Sequence, residues 1–270
     1  MTKSLSVAIG GFGAIGMAVA RKLDEGIEGL HLAAISARDR EAAAFRMQNF
    51  RNPVPVMAAG ELAEHADIVV ECAPAAIFTE IAEPALKAGR IFIPLSIGQL
   101  LEHPEYEDLA RRHGARIIAP TGALLGLDAV RAAAEGTIES VTMVTRKPPG
   151  GLAGAPYLEQ HGISVEGLTK PLKVFDGTAR EAARGFPANV NVAAALSLAG
   201  TGPDRTMVEI WADPTVTRNT HVIKVEADST RFEMKIEGVP SPENPRTGLL
   251  TPLSVIATLR ALTAPMRVGT

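Results

Sequence analysis

Three glycines near the start of the chain have the spacing of a phosphate-binding turn. Gly11, Gly13 and Gly16 form a G-x-G-x-x-G pattern that follows a short apolar run and precedes a helical pattern. The first glycine permits a tight turn, the second lets backbone approach a pyrophosphate, and the third lets a helix pack on the strand. The helix would begin with the amides of Ala14 and Ile15 facing the phosphates. The pattern predicts a dinucleotide site, and a glycine turn without a ligand is the alternative.

The segment expected to contact the adenosine ribose lacks the usual acid. In the NAD-specific pattern an acidic residue ends the second strand, about 20 to 25 residues after the first glycine. Ser36 stands at that point, and Arg38 follows it, where a guanidinium can face a 2′-phosphate. Asp39 either reaches a ribose or caps the next helix. The sequence therefore predicts that the site accepts both NAD and NADP.

One histidine has a setting suited to proton transfer. In a predicted strand, His221 lies on the same side as Ile223 and Val225, so its side chain points toward the buried face. A histidine there is either a core residue with satisfied hydrogen bonds or a general acid/base, because an imidazole exchanges protons near neutral pH.

Two loop segments carry groups suited to a carboxamide or a substrate. The glycine-containing loop around Ala123 follows a predicted parallel strand, where loops of such sheets meet ligands. Its backbone amide donates to a ligand in one interpretation, and the loop is a plain strand-to-helix turn in the other. Asn189, close to Asn191, begins a predicted helix either as an N-cap or as a hydrogen-bond partner of the cofactor.

Binding an acidic substrate requires cations, and the second half of the chain supplies several. Lys147 is the preferred carboxylate ligand, because two prolines directly after it fix its loop. Arg146, Arg218 and Arg246 are further candidates, although an arginine in such a position is more often an ordinary surface charge. Asn219 and Arg246 complete the predicted set of substrate contacts with Lys147.

Composition favours an enzyme that acts on small molecules. The chain has 270 residues, of which 46% are hydrophobic, enough for one large domain or two modest ones. A net charge of −3 gives no general attraction to nucleic acid or to an anionic membrane. The single cysteine, Cys72, excludes a disulfide within these residues and fits a reducing cytoplasm. We expect no metal site, no membrane span and a cytoplasmic protein.

The first 120 residues are expected to position the dinucleotide site. Short apolar strands alternate with helical stretches there, as in a Rossmann-like, doubly wound parallel sheet. The predicted strands span residues 5–10, 30–36, 67–72, 91–95 and 115–119, with a weaker one at 53–57.

Residues 121–248 are expected to form a second, α+β domain that carries a mainly antiparallel sheet. Thr178 and Glu181 have the spacing of a capping box. Predicted helices span 127–135 and 190–199, and predicted strands with alternating polarity span 138–146, 205–212, 218–227 and 231–237. The final helix, 249–264, is expected to pack back on one of the two domains. We expect the chemistry in the cleft between the domains.

Several sequence blocks together resemble the L-aspartate dehydrogenase family over essentially the full length. The blocks are GGFGAIG at 10–16, VVECAP at 69–74, PTGALLGLDAV at 120–130, TRKPP at 145–149, FPANVNVAAALSLAG at 186–200, ADPTVTRNTHVI at 212–223 and NPRTG at 244–248. The resemblance implies NAD(P)-dependent oxidation of L-aspartate to iminoaspartate, which yields oxaloacetate and ammonia or feeds NAD biosynthesis. It also implies that His221 is the acid/base and that Ala123 and Asn189 contact the cofactor.

Two other classes share the predicted architecture. A related two-domain reductase, of the dihydrodipicolinate reductase or homoserine dehydrogenase type, is opposed by the FPANVN and RNTH blocks. A nucleotide-sensing protein without catalysis is opposed by the presence of His221. Because the edges of the second sheet have no predicted cover, we also expect a homodimer.

Overall fold

The chain folds into two compact units, each with its own sheet. The computed structural model describes residues 4–187, 191–242 and 248–269. The first unit consists of Met1–Pro120 and Thr251–Arg267, and the second consists of Thr121–Leu250 and Val268–Thr270.

The first unit is built on a six-stranded parallel sheet. Its strands are β1 (Leu5–Gly10), β2 (Leu30–Ser36), β3 (Val56–Met57), β4 (Ile68–Glu71), β5 (Ile91–Pro94) and β6 (Arg116–Ile117). They lie in the order β3-β2-β1-β4-β5-β6, so the winding direction reverses between β1 and β4. In such sheets ligands bind beyond the carboxyl ends of the strands at this reversal.

Helices cover both faces of the first sheet, which explains why its central strands carry mostly apolar side chains on both faces. Val7 and Ile9 of β1 point to one layer of the core, and Ala8 points to the other. The helices are α1 (Ala14–Glu25), α2 (Arg40–Met47), α3 (Leu62–His65), α4 (Phe78–Lys87), α5 (Gly98–Glu102) and α6 (Glu105–His113). Short 3₁₀ turns at Ala59–Glu61 and Ala75–Ile77 precede α3 and α4.

The second unit has a five-stranded mixed sheet. Its strands are β7 (Ile138–Lys147), β8 (Leu172–Thr178), β9 (Thr206–Ala212), β10 (Thr220–Ala227) and β11 (Arg231–Glu237), in the order β11-β10-β7-β9-β8. The β7–β9 pair is parallel, and the other pairs are antiparallel. Its helices are α7 (Leu127–Ala134), α8 (Pro156–Gln160), α9 (Ala179–Gly185) and α10 (Asn191–Ala199).

The last helix, α11 (Leu250–Thr263), follows the second sheet in sequence. Its side chains Val255 and Leu259 are buried in the same apolar cluster as Val7 and Val19 of the first unit. None of the helices in the described residues is long and apolar enough to cross a membrane.

The predicted fold class, a doubly wound parallel sheet followed by an α+β domain, is confirmed. Strand β8 was not predicted, because a register shift between Lys173 and Phe175 breaks the alternation of buried and exposed residues. Val174 and Phe175 are consequently both buried in succession. The predicted strand at 53–57 is shortened to β3, which fits the lack of an N–H group at Pro53 and Pro55.

Candidate functional site

The glycine turn of the first unit has a backbone that larger residues would disrupt. Gly11 has a φ of +99°, and a Cβ atom on it would lie 2.6 Å from the carbonyl oxygen of Cys72. A Cβ on Gly16 would lie 1.9 Å from the carbonyl oxygen of Gly11. These overlaps are with backbone, which has no rotamer to change, so both positions require glycine.

Gly13 has a different role, because its surroundings are open. A Cβ atom there would have no heavy atom within 4 Å, and the residue is exposed at the N-cap of α1 without a capping side chain. The first-turn amides of Ala14, Ile15 and Gly16 have no acceptor within the helix. The turn is therefore an open cradle of N–H groups at the positive end of a helix dipole, which fits a pyrophosphate.

The end of β2 lies directly beside this turn. The carbonyl of Ser36 accepts a hydrogen bond from the Gly11 amide at 3.0 Å, and the Ser36 side chain is buried. Asp39 caps α2, since its carboxylate accepts from the Ala42 amide at 2.9 Å. Arg38 is exposed and has no carboxylate within ion-pairing distance among the residues that the structure describes.

A buried acid next to the glycine turn was missed by the sequence analysis. Glu71 ends β4 opposite Gly10, and its carboxylate accepts hydrogen bonds from the amides of Ala73 (2.8 Å), Leu95 (3.2 Å) and Ser96 (2.9 Å). Burial raises its pKa in spite of these bonds. Glu71 thus ties together the loops after β4 and β5. In the sequence, Glu71 could have been noticed as a single acidic residue at the end of an apolar strand.

In the second unit, pairing of two strands brings together the residues predicted to act on the substrate. His221 of β10 lies opposite Thr145 of β7. Because side chains alternate along a strand, Lys147 lies on the same face of β7 as Thr145. The three residues are buried, with exposed fractions of 4% for His221, 2% for Thr145 and 6% for Lys147. They form what we call the Lys147–His221 cluster.

The electrostatics of this cluster follow from burial and from one positive charge. Burial lowers the pKa of Lys147 to about 8, and the amine is still mostly protonated at pH 7. Burial and the positive charge of Lys147 lower the pKa of His221 to about 3, so the imidazole is neutral. Its Nδ1 atom makes a hydrogen bond with the Thr145 hydroxyl. The cluster therefore combines a buried cation with a neutral, oriented imidazole.

Arg146, a further cation candidate, is paired within the protein. Its guanidinium bonds the carboxylate of Asp213 at 2.9 Å and stacks over the Trp211 ring at 4.6 Å from the ring centre. Burial raises the pKa of Asp213, but hydrogen bonds from Thr215 and Arg146 outweigh burial and leave that pKa below its usual value. The amide of Asp213 donates to the carbonyl of Lys147 at 2.8 Å. Asp213, to which the sequence assigned no role, thereby braces the end of β7.

Two other residues predicted to contact the cofactor or the substrate, Ala123 and Asn219, lie outside the helices and strands. Ala123 is half-buried in a turn that the Leu124 amide closes by donating to the Thr121 carbonyl at 3.0 Å. Asn219 directly precedes β10, and its carbonyl accepts from the Gly238 amide at 2.9 Å. The predicted residues Asn189 and Arg246 lie outside the described residues. Among those described, no group of three or more histidine, cysteine or acidic side chains could hold a metal ion.

Comparison with known proteins shows what these two units correspond to. A family model described as "Homoserine dehydrogenase, NAD binding domain" matches residues 11–120, and one described as "Aspartate dehydrogenase, C-terminal" matches residues 128–262. The L-aspartate dehydrogenase of Bradyrhizobium diazoefficiens is 57% identical over 269 residues, which span 100% of this chain and 95% of the relative. The chain belongs to the L-aspartate dehydrogenase family.

Other members of this family are similarly related over the full length. L-aspartate dehydrogenase 3 of Bordetella bronchiseptica is 55% identical, with 99% of this chain and 98% of the relative covered. The L-aspartate dehydrogenase of Methanosarcina mazei is 43% identical, with 98% and 100% covered. The resemblance noted from the sequence is confirmed, and the chain is an oxidoreductase with a nicotinamide-cofactor-binding domain.

Solved structures agree with this assignment. Aspartate dehydrogenase from Thermotoga maritima has a TM-score of 0.74 and 27% identity, with 98% of this chain and 99% of that chain covered. A scyllo-inositol dehydrogenase from Lactobacillus casei, solved with NAD(H) and scyllo-inositol, has a TM-score of 0.53 at 13% identity. At this identity the likeness concerns the fold alone.

Replacing the buried lysine tests the electrostatics of the cluster. We expect Lys147→Met to raise the free energy of unfolding at pH 7 by up to about 3 kcal/mol, because the folded chain no longer buries a charge. The folded-state pKa of Lys147 lies below the unfolded value, so the unfolded wild-type chain binds more protons between about pH 8 and pH 10.5. Wild-type stability therefore rises over this interval, and the advantage of the variant shrinks.

Urea unfolding at several pH values measures both effects. Lys224→Met is the matched control, because Lys224 is exposed on the same sheet, and its replacement should bring no such gain. A Lys147→Met variant that is less stable than the wild type at pH 7 would contradict the expected penalty.

Proposed function

We propose that the protein catalyses NAD(P)-dependent oxidation of L-aspartate to iminoaspartate, which water converts to oxaloacetate and ammonia. The observation that carries this proposal is the buried Lys147–His221 cluster in a chain of the L-aspartate dehydrogenase family. A cation and a neutral imidazole on one sheet face suit an acidic amino acid whose amine must lose a proton. Iminoaspartate production would also allow the enzyme to feed NAD biosynthesis.

The first unit is assigned the cofactor. The open cradle of Gly11, Gly13, Ala14, Ile15 and Gly16 supports binding of the pyrophosphate at the start of α1. A nicotinamide cofactor held by these residues would supply the hydride acceptor for oxidation at the substrate Cα. We assign contacts with the nicotinamide end to the Ala123 amide and to Asn189, following the family resemblance.

We assign Lys147 the role of binding a substrate carboxylate. A buried ammonium is disfavoured by desolvation, and a carboxylate beside it supplies the opposite charge that stabilises it. L-aspartate carries two carboxylates, so one of them can pair with Lys147 while the amine faces the imidazole. Asn219 and Arg246 are assigned to the remaining polar atoms of the substrate.

His221 is assigned the proton transfers. In the substrate-free protein its neutral imidazole is in the form that accepts a proton, either from the substrate amine or from the water that attacks the imine. Burial is the larger cause of the low pKa of His221, and the charge of Lys147 is the smaller one. A carboxylate that pairs with Lys147 offsets the smaller cause, so the imidazole becomes a stronger base when substrate binds. In the reverse direction the protonated ring returns that proton.

Use of both cofactors is supported by the end of β2. Ser36 is buried and offers no carboxylate to a ribose, and the carboxylate of Asp39 is engaged in capping α2. The exposed guanidinium of Arg38 is available to a 2′-phosphate. We therefore propose dual use of NAD and NADP. A homodimer and a cytoplasmic location stay predictions.

Absorbance at 340 nm on mixing the protein with NAD or NADP and an amino acid tests the proposed reaction. We expect reduced cofactor to form with L-aspartate and much less with D-aspartate, L-glutamate or homoserine.

His221→Ala should lower kcat by roughly 10² to 10⁴, as expected when a general acid/base is lost, while cofactor affinity is retained. The exposed His31 provides the control variant, His31→Ala, which should keep wild-type kcat. Near-normal turnover of His221→Ala would refute the assigned role.

Arg38→Ala tests the cofactor assignment. Loss of a charge-assisted hydrogen bond to a 2′-phosphate, worth about 1.5 to 3 kcal/mol, should raise the KM for NADP roughly tenfold to a hundredfold. The KM for NAD should change little. Arg40→Ala serves as the control, because Arg40 lies two residues further on, at the start of α2. Steady-state kinetics with each cofactor would contradict dual use if the wild-type KM for NADP were several hundredfold above that for NAD.

A further inference from the structure

We propose that Thr145 is a positioning residue for His221, and that its hydroxyl holds the imidazole by Nδ1 so that Nε2 meets the substrate. The hydrogen bond between the Thr145 hydroxyl and the His221 Nδ1 atom is the observation behind this inference. The inference rests on the proposed role of His221. Thr145 itself acts through the imidazole, without a reaction of its own.

Strand register makes Thr145 the polar neighbour of the ring. His221 lies between Thr145 of β7 and Ile236 of β11, its partners on the two adjacent strands. Along its own strand the next side chain on this face is Ile223, which is completely buried. Ile236 and Ile223 have no hydrogen-bonding side chain. Of these three neighbours, Thr145 is therefore the one that can fix the rotation of the imidazole.

On its face of β7, Thr145 stands between two apolar residues that precede it and Lys147, which follows it. On this face of β7 Thr145 follows Val141 and Met143, which are both buried. Valine has nearly the shape of threonine and would fill the same space without burying a polar group. A buried hydroxyl without a partner costs about 1 to 3 kcal/mol, so its presence is explained by the hydrogen bond with His221.

The direction of this bond suits proton uptake at Nε2. A base needs a free lone pair on Nε2, which puts the ring proton on Nδ1, where it is donated to the Thr145 oxygen. When Nε2 takes a proton, the Nδ1 proton stays in place and the same bond persists. The hydrogen bond with Thr145 is made by Nδ1, so Nε2 lies at the other nitrogen position of the ring. The hydroxyl is uncharged, so it orients the ring without opposing the effect of Lys147 on the pKa of His221.

Two substitutions separate the hydroxyl from the shape of the side chain. Thr145→Val keeps the shape and removes the hydroxyl, and we expect kcat to fall about tenfold to a hundredfold, the size of effect expected from a misplaced catalytic group. The KM values for L-aspartate and for the cofactor should change less than about threefold, because neither is assigned a contact with Thr145. Thr145→Ser keeps the hydroxyl and should retain kcat within about threefold.

Control variants make the outcome specific. Thr142→Val removes a hydroxyl from the same strand on its opposite face and should leave kcat unchanged. In a His221→Ala background, Thr145→Val should cause no further loss, because the group that Thr145 orients is gone. If Thr145→Val does not fold, Thr145→Ala replaces it in the comparison with serine.

The possible results distinguish this inference from the proposed function. Wild-type kcat in Thr145→Val, or an equal loss in Thr145→Ser, overturns the positioning role while leaving the role of His221 intact. Wild-type kcat in His221→Ala overturns the proposed role of the histidine, and the positioning role of Thr145 with it. The inference is supported if kcat falls in Thr145→Val and stays near the wild-type value in Thr145→Ser. It also requires that adding Thr145→Val to His221→Ala causes no further fall in kcat.

Discussion

The buried charge of Lys147 is the constraint on which the rest of the proposed site depends. An ammonium on the buried face of a sheet is unfavourable, and its pKa is lowered accordingly. Burial lowers the pKa of His221, the charge of Lys147 lowers it further, and the same charge makes the cluster receptive to a carboxylate. One unfavourable burial thus prepares both the binding of an acidic substrate and the protonation state of the base. Stability given up at a binding site in this way is a common feature of enzymes.

The second sheet is arranged so that this constraint can be met. Strand β7 lies at the centre of the sheet and holds Thr145 and Lys147 two residues apart, on one face. Antiparallel pairing with β10 brings His221 beside Thr145, and Asp213 fixes the end of β7 through the Lys147 carbonyl. In the first unit the corresponding constraint is steric, because Gly16 allows α1 to approach the turn at Gly11.

Much of this organisation could be predicted from the sequence, for local reasons. The glycine turn, its flanking strand and helix, and the buried side of His221 follow from spacing and alternation within a few residues. Strand β8 could not be predicted, because its register shift places Val174 and Phe175 both in the core. The alternation of buried and exposed side chains along a strand is interrupted where a β-bulge occurs.

The rest of the candidate site depends on pairings between distant segments. Thr145 can orient His221 because the strand register places the two residues opposite each other, although they are 76 positions apart in the chain. This register could not be predicted from the sequence. Glu71 and Asp213 likewise accept hydrogen bonds from residues that are distant in the sequence and that the fold brings next to them. Single residues with suitable chemistry were recognisable, whereas the groups that orient them were not.

The protonation state of His221 in the substrate-free protein tests this account most directly. Nitrogen-15 NMR of the imidazole reports both the charge of the ring and the position of its proton. We expect a neutral ring that keeps its proton on Nδ1 from about pH 8 down to about pH 5, well below the ordinary histidine pKa. A ring that becomes protonated with a pKa near about 6.5 would contradict the account, because neither burial nor the charge of Lys147 would then lower the pKa of the histidine.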